Sequence, residues 1–277
     1  MGTPLPRSCS LPRGVLFPTV DYLLFLPLTV LLAWAVPHRL RLGVLAAASL
    51  FFYGSWKLSY LPVLLGVIAL TWLGGLLLER RREQGRPLLG AQTLLVGATL
   101  VPLLVFKYWD WLSRDAERGL AALGLDLDLP QVGMALPVGI SFFTFQALAY
   151  VIDVGRGMGA ERNLLRYGTF IGYFPQLVAG PIVRAHELLP QLRDLPLLSR
   201  GQVGAGLYRI ARGLFKKLLI ADVLRVGMVD PLFADPDKFT GLELVVGLYA
   251  YTLQIYCDFS GYTDMAVGSA RLFGLEL

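Results

Sequence analysis

Residues Tyr251–Gly268, YTLQIYCDFSGYTDMAVG, decide how the chain must be read. An uncharged run from Leu244 to Cys257 meets Asp258 and then Asp264, after which apolar residues resume toward Phe273. Each carboxylate in membrane-like sequence costs roughly 2.5–3.5 kcal/mol on insertion scales, so such groups face a protein interior or a watery cavity. On a helix, Asp258 and Tyr262 share one face and Ser260 and Asp264 share another. Gly261 between them allows a break, and Ala266 and Ala270 form a small-xxx-small face suited to tight helix packing. The plainer reading is that the acids cap and hydrogen-bond neighbouring helices.

Composition points the same way. The 277 residues are 55% hydrophobic and 16% charged, with a mean hydropathy of +0.59. Soluble domains carry about 25% charged residues, so this chain belongs to the membrane class. Cys9 and Cys257 cannot build a disulfide framework, and no cysteine–histidine spacing fits zinc. The net charge of +5 falls between hydrophobic runs, which marks it as a topology signal and not a nucleic-acid footprint.

Outward from that stretch, the apolar runs come in sequence. Tyr22–Val36 is followed by His38, Arg39 and Arg41, and Leu42–Trp56 ends at Lys57. Ala33-Trp34-Ala35 has the look of a signal-peptidase site, but further spans follow at once, which favours a retained segment. Leu58–Leu78 is uncharged over about one bilayer thickness and ends in the basic stretch Glu79–Arg86. Leu88–Phe106 comes next. Lys107–Pro130 reads as a mixed loop with Trp109 and Trp111 as interfacial anchors, and Leu136–Ile152 is rich in Phe.

Both basic clusters, after the first and third runs, belong on the cytoplasmic side. Arg7 and Arg13 then lie on the wrong side, which points to a start at Val15 and makes residues 1–14 an extension of MGTPLPRSCSLPRG outside the fold.

Asn163–Val183 holds Arg166, Gly172, Pro175, Gly180 and Pro181, a density of helix breakers that suits a broken or re-entrant segment. Leu207–Val229 is apolar but carries Arg209, Arg212, Lys216 and Lys217. The first three of these share one helical face, which reads as an interfacial helix on anionic lipid or as a surface for an acidic cytosolic donor. His38 and His186 have no partner spacing for a metal, and Asp258 and Asp264 are too few for a calcium loop. No G-x-S-x-G elbow or phosphate loop occurs. The residues alone therefore describe an all-α polytopic membrane protein, with about seven to nine membrane-embedded helices and a polar intramembrane site.

Longer stretches carry a resemblance. Phe51-Phe52-Tyr53-Gly54, Phe106-Lys107-Tyr108, LPVGISFFTFQALAYVIDVGRG (Leu136–Gly157), FPQLVAGPIVRAHELLPQL (Phe174–Leu192), GLFKKLLIAD (Gly213–Asp222) and the opening stretch itself occur in order. With Leu16-Phe17 and Phe25-Leu26-Pro27 they span about Val15 to the end. The chain resembles the membrane-bound O-acyltransferase family, and within it the alginate O-acetylation membrane proteins.

The resemblance implies the N-terminal portion of that fold over residues 15–277, around an acyl-transfer tunnel in a bacterial inner membrane. It implies acetyl-CoA as donor, an exported polysaccharide as ultimate acceptor and a separate extracytoplasmic acetyltransferase as partner. No bound cofactor or metal is implied. The residues expected to line the passage are Pro175, Gln176, Gly180, Pro181 and Arg184 in the broken segment, and Asp258, Ser260, Tyr262 and Asp264 in the late one. Lys216 and Lys217 are the candidates for the donor's phosphates.

The family's base is a histidine in an F-W-R-R-W-H type motif downstream of D-F-S-G-Y, which falls beyond Leu277, so the chain alone is expected to be inactive. A D-alanyl-transferring relative acting on teichoic acid, and an ion or solute transporter using Asp258 and Asp264, are the alternatives. Mass spectrometry of the native amino terminus should find no peptide containing Arg7; finding one overturns the Val15 start.

Overall fold

The computed structural model describes residues 19–277, apart from Leu123, Asp126, Val132, Met134 and the side chain of Val20. The expected extension 1–14, the Val15 start and Leu16-Phe17 lie outside the described residues. Those described form helices and connecting turns, with no strand among them.

Four helices come first: α1 (Val20–Ala35), α2 (His38–Trp56), α3 (Leu61–Glu83) and α4 (Leu89–Ala122). Then come α5 (Ile140–Gly155), α6 (Leu164–Gly172), the single turn α7 (Phe174–Leu177) and α8 (Ala185–Arg193). The last part holds α9 (Arg200–Leu214), α10 (Asp222–Leu224), α11 (Asp230–Ala234) and α12 (Gly241–Arg271). Two π-helical stretches, Phe215–Ala221 and Arg225–Val229, flank α10, so the chain winds almost without interruption from α9 to α11.

By length and composition, the helical runs Leu58–Glu83 and Leu89–Ala122 are able to cross a bilayer, while Asp21–Ala35 and Ile140–Gly155 are shorter apolar helices. Trp34, in the cleavage-like tripeptide, donates its indole N–H to the Leu272 carbonyl at 3.0 Å beside buried Ala33. In this fold that tripeptide is a packed helix end.

The structure corrects the mixed loop Lys107–Pro130. Helix α4 runs on to Ala122 because good helix formers continue past Lys107, and Pro102 interrupts no more than one hydrogen bond. The following residues fold back onto it. Trp109 donates to the Pro130 carbonyl at 2.7 Å, Asp110 accepts the Gly133 N–H and Glu117 accepts the Leu129 N–H.

The segment dense in helix breakers is broken as expected, and its backbone groups are satisfied by neighbouring helices. Pro175 has no N–H to give α6, and α6 stops at Gly172. The Phe170 carbonyl left open accepts the side-chain amides of Gln146, at 2.8 Å, and Gln176, at 2.6 Å. The Phe174 N–H goes to the Ser49 hydroxyl, which itself donates to the Leu45 carbonyl. Around this break lies the aromatic core of Tyr22, Phe52, Phe174 and Phe273, all buried.

Both basic clusters reach one end of the bundle. Arg82 donates to the Val154 and Met158 carbonyls, Arg193 lies 3.8 Å from Glu161, and His38 pairs with the Leu195 carbonyl at 2.9 Å. The start of α2 and the ends of α3, α5 and α8 are thereby tied together, the basic residues gathering on one side as charge asymmetry across a membrane leads one to expect. Replacing Gln176 by Leu removes one donor from the Phe170 carbonyl in a dry site. It should cost about 1–3 kcal/mol, read as a lowered thermal midpoint in detergent, whereas exposed Gln84→Leu should leave the midpoint unchanged.

Candidate functional site

Helices α9 and α12 make the closest pairing in the molecule that bears on chemistry. Each opens with a reciprocal capping box, Ser199 with Gln202 and Thr240 with Glu243. They run antiparallel, because Gly206 faces Gly268 and Gly213 faces Gly261. A β-carbon on Gly213 would lie 2.6 Å from the Gly261 carbonyl oxygen, and one on Gly268 would lie 2.7 Å from that of Gly206. Backbones in such contact leave no room for any side chain there. Glycines seven residues apart on each helix thus set two touching points, and the residues between them must meet as well.

Asp264 lies between those points, its side chain only 5% exposed. Its Oδ1 accepts Arg209 Nε at 3.1 Å and Arg212 Nη2 at 2.6 Å. Its Oδ2 accepts Arg212 Nε at 3.0 Å and Lys216 Nζ at 2.7 Å. Four donors fill a carboxylate's lone-pair positions, so Asp264 orients cations and is unavailable as a base. The cations themselves stay partly open, with side chains 30%, 44% and 22% exposed for Arg209, Arg212 and Lys216. Three positive groups around one negative group leave two positive charges uncompensated within the cluster.

Lys216 also donates to the Ser260 hydroxyl at 2.7 Å. Its neighbour Lys217 turns to Asp258 at 2.5 Å and Asp222 at 2.8 Å, and its ammonium stands 5.5 Å from the Tyr262 ring centroid. Each i, i+4 pair anticipated on α12 is therefore served by one lysine. Both lysines sit in the π-helical stretch, whose wider turn lets two consecutive residues address the same partner helix. Arg225, 3.6 Å from Asp222, makes this second cluster electrically neutral.

One expectation is corrected here and another is filled out. Arg209, Arg212 and Lys216 do share a face, which packs on Asp264 and Ser260 of α12 while its cations stay partly open. The outward side of the same segment carries exposed Leu207, Tyr208, Phe215, Leu218 and Leu219. A buried carboxylate with its cations around it and apolar groups outside is the arrangement a membrane favours. Gly261 marks no break, since α12 is continuous over its 31 residues and the glycine serves the contact with α9. Ala266 and Ala270 are fully buried, as a small-residue face should be.

The broken segment stands apart from these charges. Pro175 and Gln176 are buried beside the Phe170 carbonyl, and Gly180 closes a turn on Gln176 with Pro181 following. Exposed Arg184 pairs with Asp153 at 3.4 Å. His38 and exposed His186 are placed away from Asp264, by the Leu195 carbonyl and beside Glu187. Among the described residues no group of three or more His, Cys, Asp or Glu side chains could hold a metal ion. The contact role of the glycines at 206, 213, 261 and 268 is not anticipated from the sequence, where Gly261 alone stands out and as a possible break, although their seven-residue spacing is visible there.

The model of the membrane-bound O-acyltransferase family matches residues 159–277, from just before α6 through the whole α9–α12 pair. A probable alginate O-acetylase of Pseudomonas putida is 34% identical over 254 residues, covering 91% of this chain and 52% of that one. The chain belongs to the membrane-bound O-acyltransferase family. A peptidoglycan O-acetyltransferase of Helicobacter pylori is 32% identical over 265 residues, 84% of this chain and 48% of its own length. A teichoic acid D-alanyltransferase of Bacillus subtilis is 25% identical over 183 residues, 65% and 43% of the two chains. This O-acyltransferase-family chain spans about half the length of the curated relatives it matches.

Two substitutions on α9 separate the contact from helix propensity. Gly204 faces open space, so Gly204→Ala should stabilise by up to about 1 kcal/mol. Gly213→Ala should destabilise in the same thermal assay, because the backbone of α12 must move. Asp264→Asn leaves three neighbouring cations around a neutral amide and should cost about 1–3 kcal/mol, the exposure of the cations keeping it below the value for a fully buried pair.

Proposed function

We propose that the protein acts in membrane O-acetylation, moving acetyl groups from cytosolic acetyl-CoA toward an exported polysaccharide of the alginate type. The observation that carries the reading is the excess of positive charge held at Arg209, Arg212 and Lys216, inside a family whose chemistry is acyl transfer. Like charges gathered on one carboxylate repel one another, less so where water screens them, so an added anion is welcome there. The donor's phosphates supply one. Asp264 and Ser260 hold the cations in place, while Lys217, Asp258 and Tyr262 form the neutral wall beside them.

The reaction itself exchanges a thioester C–S bond for an ester C–O bond. The acceptor hydroxyl gives up its proton to a base, and the leaving thiolate takes one up. Asp264, its oxygens filled by four donors, does not serve as that base, and its part is to hold the cations for the donor. Pro181 and the exposed Arg184 are assigned to the rim of the passage, and the buried Pro175 and Gln176, with Gly180, to its fixed wall. The setting proposed is the bacterial inner membrane, crossed several times, with an extracytoplasmic acetyltransferase making the final transfer. The acetyl reading stands ahead of D-alanyl transfer because the acetylating relatives are 32–34% identical and the D-alanylating one 25%.

Membranes from cells expressing the complete gene, supplied with acetyl-labelled acetyl-CoA, should label polysaccharide. Arg209→Ala should raise KM for acetyl-CoA about tenfold, as loss of one charge-assisted contact does, with kcat little changed. Labelling by a D-alanyl carrier protein in place of acetyl-CoA, or an unchanged KM in the variant, overturns the assignment.

A further inference from the structure

We propose that the groove between α3 and α4 is a binding site for one anionic phospholipid, an acyl chain lying along the groove with its phosphate on Arg81. The cavity has a volume of about 660 Å³ and is lined by apolar side chains, with Arg81 and Pro87 at one end and Leu70 and Ala98 toward the other. Its walls are the two described helices able to cross a bilayer by length and composition, and we set its open side toward hydrocarbon.

Three observations fix the occupant. The first is length. Eleven residues separate Leu70 from Arg81, about 16 Å at 1.5 Å per residue. Half of a hydrocarbon core of about 30 Å is nearly the same, so the groove is one leaflet deep. The second is charge. Arg81 has no carboxylate partner among the described residues, while nearby Glu79 is taken up by Arg162 and the Ala160 N–H. The stretch 79–86 sets four arginines against two glutamates at that end. Basic residues beside a bilayer's inner surface select anionic head groups.

The third is shape. The helices touch where the Leu95 side chain covers Gly74, yet a β-carbon on Gly90 would meet nothing within 4 Å. The space is therefore open where small residues line it, and it narrows where Leu95 covers Gly74. A second protein helix would need a longer polar-free face than one leaflet supplies, whereas a single lipid tail fits the length and places its phosphate at the arginine.

The test is native mass spectrometry of the whole chain in detergent, titrated with phosphatidylglycerol and, separately, phosphatidylcholine. The wild type should retain phosphatidylglycerol in preference. Arg81→Gln should weaken that retention about fivefold, the effect of one basic residue at an anionic surface. Gly90→Phe should abolish tight retention of either lipid, because the ring occupies the groove, whereas Gly43→Phe, at another open glycine, should not. Both groove variants keeping wild-type retention, no preference between the two lipids, or a dimer that Gly90→Phe dissociates would each overturn the proposal. If Gly90→Phe fails to fold, Arg81→Gln decides alone.

Discussion

Backbone contact between α9 and α12 places Asp264 among Arg209, Arg212 and Lys216. Glycine at 206, 213, 261 and 268 is what permits that approach, since a methyl group at any of them would strike the facing carbonyl. Once the two helices touch, the carboxylate is shut between the touching points with its cations partly open around it, and the exposed apolar residues of both helices face outward. A soluble protein with this pattern would expose a wide greasy surface. In a bilayer the same pattern is the stable one, because lipid removes any hydrophobic gain from burying Leu207 or Phe215 and penalises an unpaired charge.

The aromatic core answers the same constraint with neutral groups. At the α6–α7 break the open Phe170 carbonyl takes two glutamine amides and the Phe174 N–H takes the Ser49 hydroxyl, so the irregular backbone is closed by protein. Gln146 and Gln176 come from different helices. They act as a latch on the bend, and they explain how a stretch dense in glycine and proline can stand in the middle of the fold. The charged pair of helices and the neutral break are joined through α7, which packs on α12 near Phe273.

Charge is also distributed along the molecule with a direction. The arginines of α3, the loop after α5 and the end of α8 gather at one face through Arg82, Glu161 and Arg193. That face supplies the polar anchoring a membrane protein needs. The net positive charge at Asp264 is separate from it, held within the α9–α12 pair and only partly open, so the two basic regions meet different surroundings and suit different anions.

Much of this was legible from residue order. Runs of apolar residues without charge set the all-helical membrane class, the breakers Gly172, Pro175 and Pro181 announced the interruption, and the spacing on Tyr251–Gly268 correctly paired Asp258 with Tyr262 and Ser260 with Asp264. These are local properties, fixed by 3.6-residue periodicity and by what proline cannot donate. The sequence could not say which way the cationic face of α9 turned, because a face next to lipid head groups and a face next to a buried carboxylate have the same pattern. Nor could it show that Gly261 joins helices instead of bending one, that α4 runs on past Trp111, or that Lys216 and Lys217 part company within a π-helical turn. Those outcomes depend on which surfaces meet, and only packing in three dimensions, with each buried charge obliged to find its counterpart, decides that.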